Sequence, residues 1–109
     1  MRLPNGTFTP GAGLSLVSVL NTVGRDSADV VAGKPSAALA ETIVQAYGVS
    51  PETTCMVGDR LDTDILFGND NGLKSCLTLS GVTTEEKLLS PENKVIPDFY
   101  VDSIADYLG

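Results

Sequence analysis

Histidine and tryptophan are absent from this 109-residue chain, cysteine occurs twice, and only 7 Lys and Arg stand against 14 Asp and Glu. Each shortage removes a class of function. A net charge of −7 leaves no broad basic face, so phosphate-backbone contacts to nucleic acid are not expected. No apolar run approaches the ~20 residues of a membrane-spanning helix, so no membrane partner is expected. The opening stretch "MRLPNGTFTPGAG" lacks the basic-then-apolar order of a signal peptide. Two thiols without histidine fall short of the usual four zinc ligands. Cys55 and Cys76 instead read as buried thiols in a reducing, cytoplasmic compartment.

What remains is an ordinary globular composition, 42% apolar and 19% charged. A chain this long buries roughly 65% of the surface its unfolded form exposes, enough for one core. Helical and extended patterns alternate along it. The first helix is expected over 13–24, with Leu16, Val17, Leu20 and Val23 at helical spacing and Gly24 as its stop. A strand over 28–33 follows. A second helix over 35–48 places Leu39, Ala40, Ile43, Val44 and Tyr47 on one face, with Pro35 in its first turn and Gly48 at its end. Strands are then expected over 53–58, 74–80 and 98–102, and helices over 61–72, 83–90 and 103–109, with an exposed loop over 89–97. This order predicts an α/β fold, a Rossmann-like parallel sheet with flanking helices. The first 27 residues are rich in Gly, Pro and Thr and then helical, so they are assigned to a separate lobe from 28–109.

Open parallel sheets bind ligands beyond the carboxyl ends of their strands. Two such ends are chemically marked. Gly33-Lys34-Pro35-Ser36 puts a cation between a strand and a helix N-terminus, where free backbone N–H groups also favour a phosphate dianion. Taken alone, Lys34 reads equally as an exposed surface lysine. The second end is "MVGDRLDTDI", 56–65, with carboxylates at Asp59, Asp62 and Asp64. Helix capping gives Asp62 a role as N-cap and Asp64 one as a first-turn acid. Asp59 is harder to explain that way. A carboxylate leaving a buried strand is costly without a partner, and Arg60, adjacent on an extended chain, points to the opposite face. Mg²⁺ binds through one or two carboxylates and keeps water and phosphate oxygens for its other positions. Asp59, supported by Asp64, suits that pattern.

"GKPS", 25 positions from Lys34 to Asp59, and then "VGDRLDTDI" resemble the third and fourth motifs of the haloacid dehalogenase superfamily of phosphatases. The wording is closest to the 4-nitrophenylphosphatase and phosphoglycolate phosphatase branch, where a "PGAG"-like segment precedes a helix as Pro10 to Gly13 does here. The resemblance implies a Mg²⁺-dependent phosphomonoester hydrolase acting on a small phosphorylated metabolite. It implies Asp59 as a direct metal ligand, Asp64 as support for the metal, and Lys34 as the catalytic and substrate-binding cation on the transferring phosphoryl group. In these enzymes an aspartate attacks phosphorus and water hydrolyses the aspartyl-phosphate. Arg60 and Asp62 carry no implied step.

The family's first motif, a strand ending in Asp-x-Asp-Gly that supplies the nucleophile, has no counterpart here. The string "DTD" at 62–64 is followed by Ile65, and only 33 residues precede Lys34. The expected organisation is therefore a cap-domain tail (1–27) followed by the C-terminal half of a catalytic core (28–109), inactive alone, prone to self-association, and part of a protein that pairs as a homodimer. A receiver-like signalling domain also uses an acid pocket, Mg²⁺ and a lysine, but places its acids before the lysine, whereas Lys34 precedes Asp59. A non-catalytic phosphate- or metal-binding interaction module is the other alternative.

Overall fold

Three parallel strands, each joined to the next through helical segments, form the sheet in a computed structural model that describes residues 6–7 and 11–108. Pro10 of the Pro10-to-Gly13 segment and Gly109 of the expected terminal helix lie outside the described residues. The strands are β1 (Cys55–Gly58), β2 (Lys74–Thr78) and β3 (Phe99–Val101), in spatial order β1-β2-β3. Register pairs Val57 with Cys76 and Cys76 with Phe99. The helices are α1 (Ala12–Thr22), α2 (Ala37–Tyr47), α3 (Leu66–Asp70) and α4 (Glu85–Leu88). The expected parallel α/β architecture is thus present. Among the described residues, no helix is long and apolar enough to cross a membrane.

The chain divides into two units, with the break between Val31 and Ala32. In the first, α1 starts after Gly11 without a side-chain cap and has no buried residue. Ser18 and Thr22 donate their hydroxyls to the carbonyls four residues earlier. Gly24, at φ +73°, turns the chain out of the helix. The strand expected over 28–33 does not form. A strand needs a ladder partner, and none of the described strands pairs with this segment, which leaves Val30 and Val31 exposed.

The second unit holds the sheet and its core. Ile65, Leu77, Leu61 and Leu88 form one buried cluster, flanked by Leu79 and Val95. β2 is central and buried from Ser75 to Thr78. That explains the fate of the two thiols: Cys76 on β2 is fully buried, while Cys55, at the start of edge strand β1, is exposed, contrary to expectation. In α2, Ala40 is buried but Tyr47 is 79% exposed, so the apolar face ends at Val44. Ser36, rather than Pro35, begins α2: its hydroxyl accepts the Ala38 N–H at 3.2 Å. Gly48 closes the helix in the left-handed region at φ +62°.

Other elements are shorter than expected. The 61–72 helix divides into a wide turn, Leu61–Ile65, and α3. The terminal segment forms a tight 3₁₀ helix over Ile104–Leu108. The 89–97 loop is pinned rather than loose. Asn93 donates to the carbonyls of Leu88 and Val95 at 2.9 and 3.0 Å, drawing Val95 against the core.

β2 and β3 are held at one end by Asp98. Its carboxylate accepts the Ser75 backbone N–H at 2.9 Å, the Ser75 hydroxyl at 3.2 Å and the Lys74 ammonium at 3.2 Å. The Ser75 N–H bond, then Lys74, hold the Asp98 carboxyl below its ordinary range. A group with a depressed folded-state pKa contributes stability that is present above its unfolded value, about 3.9 for Asp, and lost as pH falls through the folded value. Asp98→Asn is therefore expected to flatten the acid limb of a plot of unfolding free energy against pH below about pH 4. An acid limb identical to wild type in urea titrations would assign that acid sensitivity elsewhere.

Candidate active site

The carboxyl end of β1 is where the marked residues gather. β1 stops at Gly58, and Asp59 leaves the sheet half-buried. The chain then turns widely enough that Ile65 donates its N–H to the Arg60 carbonyl five residues back, at 3.1 Å, alongside the Asp64 N–H to the same oxygen at 3.1 Å. This wide turn carries Asp64 back under the strand end.

Asp64 is 4% exposed and fully engaged. Its Oδ2 accepts the backbone N–H groups of Asp59 at 3.1 Å and Arg60 at 3.0 Å. Its Oδ1 accepts from the Lys34 ammonium, 30 residues earlier. Gly58 is required by this packing. A Cβ there would fall on the Asp64 side chain. The glycine thus serves a close approach by a side chain rather than a left-handed turn.

Three carboxylates within six residues repel one another, and the structure deals with each separately. Asp64 has Lys34 and two N–H donors. Asp62 is not an N-cap: it makes no capping bond and instead receives Arg60 through two bonds, Nε to Oδ1 at 3.0 Å and a terminal nitrogen to Oδ2 at 2.7 Å. That pairing lowers the Asp62 pKa and raises that of Arg60, the hydrogen bond being the first cause in both. Asp59 has no cationic partner among the described residues. Its Oδ2 accepts the Val82 N–H at 2.8 Å, and its backbone carbonyl accepts the Thr83 N–H at 3.2 Å.

The loop after β2, Gly81-Val82-Thr83, therefore grips Asp59 from the neighbouring strand end. A Cβ on Gly81 would collide with the Asp59 carboxylate. These three residues are missing from the candidates that the sequence marks. The available signal is topological: a loop leaving β2 of a parallel sheet must lie on the same edge as the loop leaving β1.

The donor set fits a hard cation in the mode that Mg²⁺ uses. No group of three or more His, Cys, Asp or Glu converges among the described residues. One carboxylate without a counter-ion beside a lysine-bearing loop matches binding through one or two carboxylates. Both carboxylate oxygens of Asp64 accept hydrogen bonds, whereas Asp59 accepts one, at Oδ2.

Comparison with known proteins identifies a family. A HAD-hydrolase-like family profile matches residues 31–107. The human glycerol-3-phosphate phosphatase is 48% identical over 116 aligned residues, covering 98% of this chain and 36% of that protein. Phosphoglycolate phosphatase 2 of Arabidopsis thaliana is 42% identical, covering 91% of this chain and 32% of its own length. Among solved structures, the p-nitrophenyl phosphatase of Archaeoglobus fulgidus superposes with a TM-score of 0.80 at 30% identity, over 99% of this chain and 41% of that one. A glycerol phosphate phosphatase of Mycobacterium tuberculosis, solved in complex with calcium, superposes with a TM-score of 0.73 at 32% identity, over 93% of this chain and 29% of that one. The chain spans about a third of the length of the curated relatives it matches. With the profile match extending across the whole sheet, Lys34 and the end of β1, this chain belongs to the HAD-hydrolase-like family.

Proposed function

We propose that this chain carries the cation-binding and phosphate-holding part of a Mg²⁺-dependent phosphomonoester hydrolase, of the phosphoglycolate or 4-nitrophenyl phosphate type. The observation that carries the reading is the convergence of Lys34 and Asp59 through Asp64. Two residues 25 positions apart are tied to one buried carboxylate at the carboxyl end of a parallel strand. Relatives named as phosphatases of small phosphate esters support the same class of substrate.

In this reading Asp59 ligates the metal through the oxygen that Val82 leaves free. The Gly81-Val82-Thr83 loop and Asp64 fix its position before any ligand arrives, so little reorganisation is needed on binding. Lys34, half-exposed and anchored through Asp64, presents its remaining N–H donors to the phosphoryl oxygens. Mg²⁺, when bound, offsets charge on the transferring phosphoryl group. In this reading the aspartate that would attack phosphorus is supplied from outside this chain.

Calorimetric titration of the chain with Mg²⁺, then with inorganic phosphate in its presence, tests the reading. Asp59→Asn is expected to weaken Mg²⁺ binding by more than about ten-fold, a scale on which even residues that only orient a ligand matter. The chain alone is expected to hydrolyse no 4-nitrophenyl phosphate above an Asp59→Asn preparation. A wild-type chain without a Mg²⁺ response, or an Asp59→Asn variant with an unchanged one, defeats the proposal.

A further inference from the structure

The Arg60–Asp62 pair has no part in the chemistry above, yet it adjoins Asp59, the one acid of the 56–65 motif without an ion pair among the described residues. Arg60 follows Asp59 directly in the chain. Its backbone is extended, at φ −120° and ψ 129°, which turns the two side chains apart. Its guanidinium is engaged along one edge, through Nε and one terminal nitrogen, by the two carboxylate oxygens of Asp62. Asp62 is 68% exposed and Arg60 32%, so the pair is not a core element. A long, permanently charged side chain can nonetheless curl back from the opposite face towards an uncompensated carboxylate.

We infer that Asp62 is a positioning residue for the cation site: by holding the Arg60 guanidinium, it keeps Arg60 off Asp59 and leaves that carboxylate open to a divalent cation. The inference rests on the reading of Asp59 as the Mg²⁺ ligand. It accounts for all three acids of the motif. One builds the turn and anchors the lysine, one binds the metal, and one removes the nearest competing cation.

A double-mutant cycle on Mg²⁺ affinity, measured by calorimetry on the full 109-residue chain, separates this from simpler effects. Asp62→Ala is expected to weaken Mg²⁺ binding about three- to five-fold, the range of an exposed ion pair competing for the same carboxylate. Arg60→Ala alone is expected to change it by much less, because the arginine is already hydrogen-bonded to Asp62 rather than to Asp59. The double variant is expected to return to the wild-type affinity. If the two single changes are equal and opposite, the charges act only at a distance, and the inference fails. It fails too if Asp62→Ala binds like wild type, or if the double variant stays as weak as Asp62→Ala, which would mark a structural loss. A wild-type chain that binds no Mg²⁺ instead removes the underlying reading, and this inference with it.

Discussion

Asp64→Ala is expected to lower the unfolding free energy by about 2–4 kcal/mol, among the largest single-residue losses available outside the apolar core. The substitution strands three donors at once: the N–H groups of Asp59 and Arg60, and the Lys34 ammonium. Deleting one partner of a fully buried ion pair costs about 3–5 kcal/mol. Lys34 is 42% exposed, however, so water recovers most of its charge and that part must be discounted. The two backbone N–H groups are less easily rescued, because the wide turn over Leu61–Ile65 folds around the carboxylate they share. Asp64→Asn separates the two contributions. Its carbonyl oxygen still accepts the backbone pair, while its amide nitrogen faces the lysine, so it is expected to keep roughly half of the lost stability. Urea unfolding followed by circular dichroism measures both. An Asp64→Ala midpoint indistinguishable from wild type would show that the buried carboxylate holds the turn no better than an apolar side chain.

Gly58→Ala is expected to reach a similar outcome by steric means. The added methyl would occupy the space of the Asp64 side chain, within van der Waals overlap of its Cβ and carboxylate. Overpacking in a close-packed region costs about 1–3 kcal/mol. The relief available is for Asp64 to move, which breaks its bonds to Asp59, Arg60 and Lys34 together. The combined effect on stability is expected at the upper end of that range, with a parallel loss of Mg²⁺ response. The double variant Gly58→Ala with Asp64→Ala is the decisive comparison. Removing the carboxylate makes room for the methyl, so the two losses are expected to fall short of adding. Full additivity would place the glycine's role elsewhere.

The same geometry shows why different parts of this chain are differently legible. Element type follows from pattern. Short apolar runs bounded by turn residues become β1, β2 and β3, and the 35–48 periodicity becomes α2. The 28–33 run reads as a strand on the same grounds and is not one, since hydrogen-bonding partners, not composition, make a strand. The break inside 61–72 is hidden for a related reason. The sequence is compatible with a continuous helix, but the buried demand of Asp64 for two N–H donors widens its first turn.

By itself the sequence determined the parallel α/β class, the marked end of β1, and the singling out of Lys34 and the three aspartates. These depend on residue types at fixed local spacing, which a one-dimensional pattern records. Only the tertiary structure decided which cation neutralises which acid: Lys34 with Asp64, Arg60 with Asp62, and none for Asp59 among the described residues. It also brought in Gly81, Val82 and Thr83 from the next strand's loop. Charge pairing depends on distance in space rather than on separation along the chain, so it is fixed only once the chain has folded.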